Sequence, residues 1–196
     1  MQKAQSDILS AVIIILIALG LTSAALMWGL PLIQKRQDAA MVARVSNLFS
    51  HDLPSKITHV ANVGGHDSFT IDANGVWTLD ETKNILSFTF FSKSSDKAIG
   101  MWIGGGECQP DGFNGQPGIL GIDEPCVVCV RADQLESGYT ITYQIGCREL
   151  KTETNSYKIQ FKSAGVTTSN SKTIKISRGA LVTMDNLIIT QIEILL

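Results

Sequence analysis

Two hydrophobic rhythms divide this chain of 196 residues. From Ile8 to Ile33 the sequence is almost wholly apolar, with no charged residue between Asp7 and Lys35. At 1.5 Å per residue that run spans about 39 Å as a helix, more than a hydrocarbon core of roughly 30 Å. It also exceeds the apolar stretch of about 7 to 15 residues in a secretory signal peptide. After Gln34-Lys35-Arg36-Gln37-Asp38 the pattern thins to a stripe of Ala40, Met41, Val45, Leu48 and Phe49, spaced by roughly three and four. This predicts one long helix, apolar all round at first and amphipathic later. Pro54 disfavours helix at the residue before it, so the helix is expected to end near HDLPSK.

Beyond that point short runs of β-forming residues alternate with turn signals. DSFTIDANGVWTL reads as a hairpin about Asn74-Gly75, and NILSFTFFSK and AIGMWIGGG as further strands. The stretch from Gly104 to Pro125 is rich in Gly and Pro and reads as a long loop; CVVCVRADQLESGYTITYQIGCREL reads as a hairpin turning near Ser137-Gly138. SYKIQF, TIKISRG, ALVTM and NLIITQIEILL complete the run, the last apolar enough for a central strand. The expected class is α+β: a long N-terminal hydrophobic helix followed by an all-β sandwich head.

The amino terminus adds a second kind of signal. Lys3-Ala4, then Gln5-Ser6-Asp7, then the apolar helix, resembles the processing site of archaeal type IV pilins and archaellins. The resemblance covers the leader and helix, and by character the head, in GILGIDEP through CVVCVR and in NLIITQIEILL. It implies cleavage between Ala4 and Gln5 by a prepilin peptidase, and an immunoglobulin-like head. The domain plan is then a leader over residues 1–4, a transmembrane and filament-core helix over 5–53, and a β-sandwich over 54–196. Asp7 also fits helix capping in the first turn, with Ser6 as N-cap; the resemblance adds a role in pairing with a neighbour's new amino terminus during assembly. Asp7 would be the third mature residue, whereas bacterial pilins carry this acid at the fifth. Small residues Gly20, Ser23, Ala24 and Ala25 would allow close helix approach, and Gly29 and Pro31 a bend.

Charge gives two further bounds. A net charge of −2 with scattered Lys and Arg argues against nucleic acid as a partner. Lys35, Arg36 and Arg44 outweigh Lys3, which by the positive-inside rule alone would put the carboxyl end in the cytoplasm. The cysteines and the leader resemblance favour the opposite orientation. Cys108, Cys126, Cys129 and Cys147 are four in number, all distal, as expected of two disulfides outside the cytoplasm. Three connectivities are possible; a hairpin turning at Ser137-Gly138 would set Cys129 near Cys147 and leave Cys108 for Cys126. Zinc would need all four sulfurs to converge, and a redox pair would want a helix N-terminus rather than the strand that Val127-Val128 favours.

No nucleophile elbow, HExxH helix or phosphate-cradling loop is present in the sequence, so neither an enzyme nor a cofactor is expected. His51, His59 and His66 have no familiar ligand spacing and read as surface residues; Trp28 suits a membrane interface, and Trp77 and Trp102 read as core. The leading expectation is a structural filament subunit, held in the membrane, trimmed, and drawn by the pilus assembly machinery into a helical homopolymer at the cell surface for adhesion. The alternatives are a membrane-tethered extracellular binding module that never polymerises and, last, an anchored thiol oxidoreductase built on Cys126 and Cys129.

Overall fold

The computed structural model describes residues 2–104, 108–109 and 111–196, with side chains from Ala11 onward. Helix α1 runs Gln2–Asn47, a π-helical turn follows over Leu48–Asp52, and α2 runs Leu53–Val63 without a break in the helical backbone. The helix therefore continues past Pro54, against the expectation that it stops there. The reason lies in the turn before it. Leu53 N–H bonds to the Leu48 carbonyl, five residues back, so the ladder is already shifted and widened where the Pro54 ring would crowd it. Pro54 then sits at the start of α2, a position that needs no intrahelical donor.

The chain forms two compact units, residues 1–38 and 39–196. The second therefore begins inside α1 rather than at residue 54. Among the described residues thirteen strands follow the helix: β1 (His66–Thr70), β2 (Gly75–Asp80), β3 (Ile85–Ser92), β4 (Cys108–Gln109), β5 (Gly112–Phe113), β6 (Gly118–Ile119), β7 (Cys126–Leu135), β8 (Gly138–Cys147), β9 (Glu149–Lys151), β10 (Ser156–Ser163), β11 (Thr168–Ser169), β12 (Thr173–Met184) and β13 (Leu187–Leu195). One sheet has the order β1-β12-β13-β10-β9-β6, the other β11-β2-β3-β8-β7, and β4-β5 make a small flap. The α+β class holds, with the two sheets as a sandwich. The larger sheet is mixed, since β10 lies parallel to β13 and β6 to β9, and its order does not by itself make the head immunoglobulin-like.

Alternation places the core. Leu86, Phe88 and Phe90 of β3, Ile141, Tyr143 and Ile145 of β8, Ile174 and Ile176 of β12, and Ile192 and Ile194 of β13 are all buried. Between them lie Val42, Val45, Phe49, Leu53, Ile57 and Val60 from the helix, in one apolar cluster with both sheets. Phe49 stands at its centre, with ring centroids 4.9 Å from Tyr143, 5.7 Å from Trp77, 6.2 Å from Phe69 and 6.3 Å from Phe88. Burial pushes the Tyr143 phenol above its ordinary value of 10.

The expected hairpin at Asn74-Gly75 does not form: β1 pairs with β12, and β2 with β3 in the other sheet. Neither Asn74 nor Gly75 has the positive φ that such a turn needs, and buried Ile71 and Ala73 carry the chain from one sheet to the other. The positive φ falls instead at Asn84, in the β2-β3 turn. The expected strand AIGMWIGGG reduces to two bridges onto β7, Ile99 to Ala132 and Ile103 to Val130.

Candidate functional site

The feature with the clearest functional character is the apolar run of α1. Ala11 to Ile33 are 23 residues, about 35 Å of helix, long and apolar enough to cross a membrane. None of its apolar window is buried within the chain; Ile14 is 63% exposed, Leu21 68% and Trp28 82%. The one hydroxyl bond seen on this stretch is internal, Thr22 Oγ1 donating to the Ala18 carbonyl at 2.7 Å, which suits an apolar solvent. Gly20 and Gly29 have open space where a Cβ would stand, so their smallness serves no packing inside the chain. Pro31 lies within the helix without ending it. Lys3, Ala4, Gln5 and Asp7 fall in α1, but their side chains lie outside the described residues.

The head is stapled at two places. Cys108 bridges to Cys129 and Cys126 to Cys147, with Cα separations of 5.8 and 4.0 Å. This reverses the pairing expected from the hairpin. Leu135 lies opposite Gly138, so the turn is Glu136-Ser137, and the register sets Cys126 across from Cys147 and Cys129 across from Gln144. Three positions apart on a strand, Cys126 and Cys129 point to opposite faces. Cys126 joins the main core, while Cys129 joins a second cluster with Ile85 and Phe113 beneath the flap. The four sulfurs thus neither converge on one point nor pair within CVVC. Two bridges of this kind belong to an oxidising compartment outside the cytoplasm.

The flap explains two glycines. A Cβ on Gly146 would collide with the Phe113 ring, and one on Gly104 with Cys108 Sγ and the Val128 carbonyl. Trp102 packs half-buried against this second cluster, whereas Trp77 is fully buried in the first. His51, His59 and His66 are exposed, and no group of three metal-ligating side chains occurs among the described residues. A concavity of about 620 Å³ holds His66, Asp67, Ser68 and Lys175 on its lining. Asp67 there is engaged by Lys56 Nζ at 2.8 Å, which draws its carboxyl below the ordinary value, with the Ser68 N–H adding to the effect.

Sequence reasoning missed Asn84 and Glu81, which join the two sheets. Asn84 is 5% exposed; its Nδ2 donates to the carbonyls of Cys147 and Ile159, both at 2.8 Å, and its Oδ1 accepts from Phe161 N–H at 2.7 Å. Glu81 accepts from Ser163 N–H at 2.8 Å and from Lys162 Nζ at 3.2 Å, contacts that hold its carboxyl below the usual range, the backbone N–H most. These side chains occupy the edge of β10 that β9 leaves unpaired beyond Lys158. The signal was an Asn just before a strand, a residue that tolerates positive φ.

No family model, no curated protein and no solved structure matches this chain.

Proposed function

We propose that the chain is a structural subunit, a pilin of an extracellular archaeal type IV pilus-like filament. It is held in the membrane by α1 before assembly and polymerises through that helix to serve surface or cell adhesion. One observation carries the reading: a single unbroken helix has an apolar stretch of membrane-spanning length that none of the described residues covers, and a later stretch that is part of the core of a β head. Lipid satisfies the first stretch while the subunit waits, and copies of the same helix satisfy it in the filament, where close packing and lipid release favour association. The disulfides suit a head that faces the outside. Prepilin peptidase and assembly machinery are the partners this implies, with cleavage before Gln5 and Asp7 acting in assembly.

The test is electron microscopy of filaments sheared from producing cells, with mass spectrometry of their N-terminal peptide. Filaments built of this chain and starting at Gln5 support the proposal. Subunits found only as unassembled membrane protein overturn it in favour of a tethered binding module. Normal filaments from Asp7→Ala would remove Asp7 from the mechanism and leave the rest standing.

A further inference from the structure

The helix within the head has an outer face as well as a buried one. Ala40, Ala43, Arg44, Asn47, Ser50 and His51 are exposed on the side away from Val45, Phe49 and Leu53. Beside the later part of this face lies a groove of about 460 Å³ lined by Ser50, His51, Pro54, Ser55, Thr58 and Glu124. Its bank is firmly built. Arg148, only 7% exposed, donates through Nε to the Glu124 carbonyl at 2.9 Å and reaches Asp123 Oδ1 at 3.7 Å, while its backbone N–H bonds to the Pro125 carbonyl at 2.9 Å. The Glu124 backbone is fixed by these contacts, yet its carboxylate is exposed and meets no cation among the described residues. Arg44, on the same helix ten residues before Pro54 and about 15 Å away along the axis, is exposed with no anion among the described residues.

We propose that this groove receives the Arg44 face of a second copy of the chain, with Arg44 of one copy pairing with Glu124 of the other. The inference rests on the filament reading and names one of its lateral contacts. Three observations agree on the occupant. The groove offers an acid with no partner among the described residues, and the same chain offers a cation with none among them. The residues flanking Arg44, namely Ala40, Ala43 and Asn47, are small enough to enter a helix-side groove closely. Arg44 and Glu124 sit far enough apart along the axis that a parallel copy must be displaced to bring them together. Such displacement extends a polymer instead of closing a dimer. A bidentate Arg-carboxylate pair has directional geometry and would fix that displacement as well as add affinity.

The experiment is a charge swap in producing cells, using the full chain. Glu124→Arg and Arg44→Glu are expected each to lower the filament yield at least tenfold by electron microscopy, while Glu124→Arg with Arg44→Glu restores it to within twofold of the parent. Subunit content of the membrane and mobility on non-reducing gels show that each variant is made and its disulfides formed. Glu136→Arg, in the exposed β7-β8 turn, controls for net charge and is expected to leave the yield unchanged. The proposal is overturned if the single reversals assemble like the parent, if the swap does no better than they do, or if Glu136→Arg is equally harmful. A parent chain that makes no filaments sinks the filament reading and this contact with it. Parental filaments indifferent to Arg44 and Glu124 sink this contact alone.

Discussion

Two stretches of one helix, Ala11 to Ile33 and Val42 to Ala61, are alike in secondary structure and opposite in what surrounds them. In the first, apolar residues occupy every side and all are exposed, as at Ile14 and Leu21; in the second, they occupy one side and Phe49, Leu53 and Ile57 are wholly buried. Apolar surface drives burial wherever it lies, so the difference concerns the source of the cover. A one-sided stripe can be covered by the chain's own sheets. An all-round apolar surface requires a solvent of lipid or of neighbouring helices.

The comparison can be tested from its strongest point downward. Phe49→Ala should be the most damaging single change, at about 4 kcal/mol, because it leaves a cavity amid four aromatic rings. Denaturant unfolding of the full chain in detergent measures it, and a loss under about 1 kcal/mol would mean that the helix does not form the core. Asn84→Ala, assayed likewise, should cost about 3 kcal/mol, since it strands two carbonyls and one N–H in the interior. Replacing Cys108 and Cys129 together by Ser should lose about 3 kcal/mol or less, the chain-entropy value for a closed loop of this length.

In the first stretch, Ile17→Arg should leave the head's unfolding midpoint unchanged and cost about 3 kcal/mol in membrane insertion, read as the fraction of chain recovered with membranes. Unchanged recovery would deny that the stretch spans lipid. The smallest effect is in pH. Glu81 and Asp67 have carboxyls lowered in the folded state, so their contribution is complete above their ordinary values of 4.5 and 3.8 and is lost as pH falls below those values and through the lowered folded-state ones. Glu81→Gln should therefore flatten the decline of stability below about pH 4.5. An identical acid profile would show that the β10 edge does not depend on that charge.

The parts of the fold that follow from local pattern were legible in the sequence. Apolar continuity gave the long helix, and runs of β-forming residues gave β3, β8, β10 and β13, including the central place of the last; TIKISRG and ALVTM, read as two strands, form the single β12, with a register shift between Arg178 and Leu181. The failures share a physical cause, which is that a partner distant in sequence overrode a local preference. Pro54 would end an isolated helix, but the π turn and the burial of Phe49, Leu53 and Ile57 carry the helix past it. Asn74-Gly75 suits a tight hairpin, but Ile71 and Ala73 bury where the chain crosses between sheets. The cysteine pairing turned on the register of the β7-β8 hairpin, in which Cys129 faces Gln144, three positions short of Cys147, and which the sequence of its turn leaves open. Of the candidate assembly surface, the apolar helix was readable from composition. The groove beside Glu124 was not, because its two walls meet only in the folded head.

The two disulfides also have a mechanical meaning. Their loops overlap, since Cys126 and Cys129 each close a different loop within a few residues of one another on β7. Tension entering at Cys108 crosses to Cys129, runs back three residues to Cys126 and crosses again to Cys147. The peptide between Cys108 and Cys147, which could extend to about 130 Å as a free chain, is thereby bypassed by a path of about 20 Å. Force applied along the polypeptide would thus find the Gly-rich loop and the β7-β8 hairpin almost inextensible, and any yielding of the head would have to come from strands outside that span.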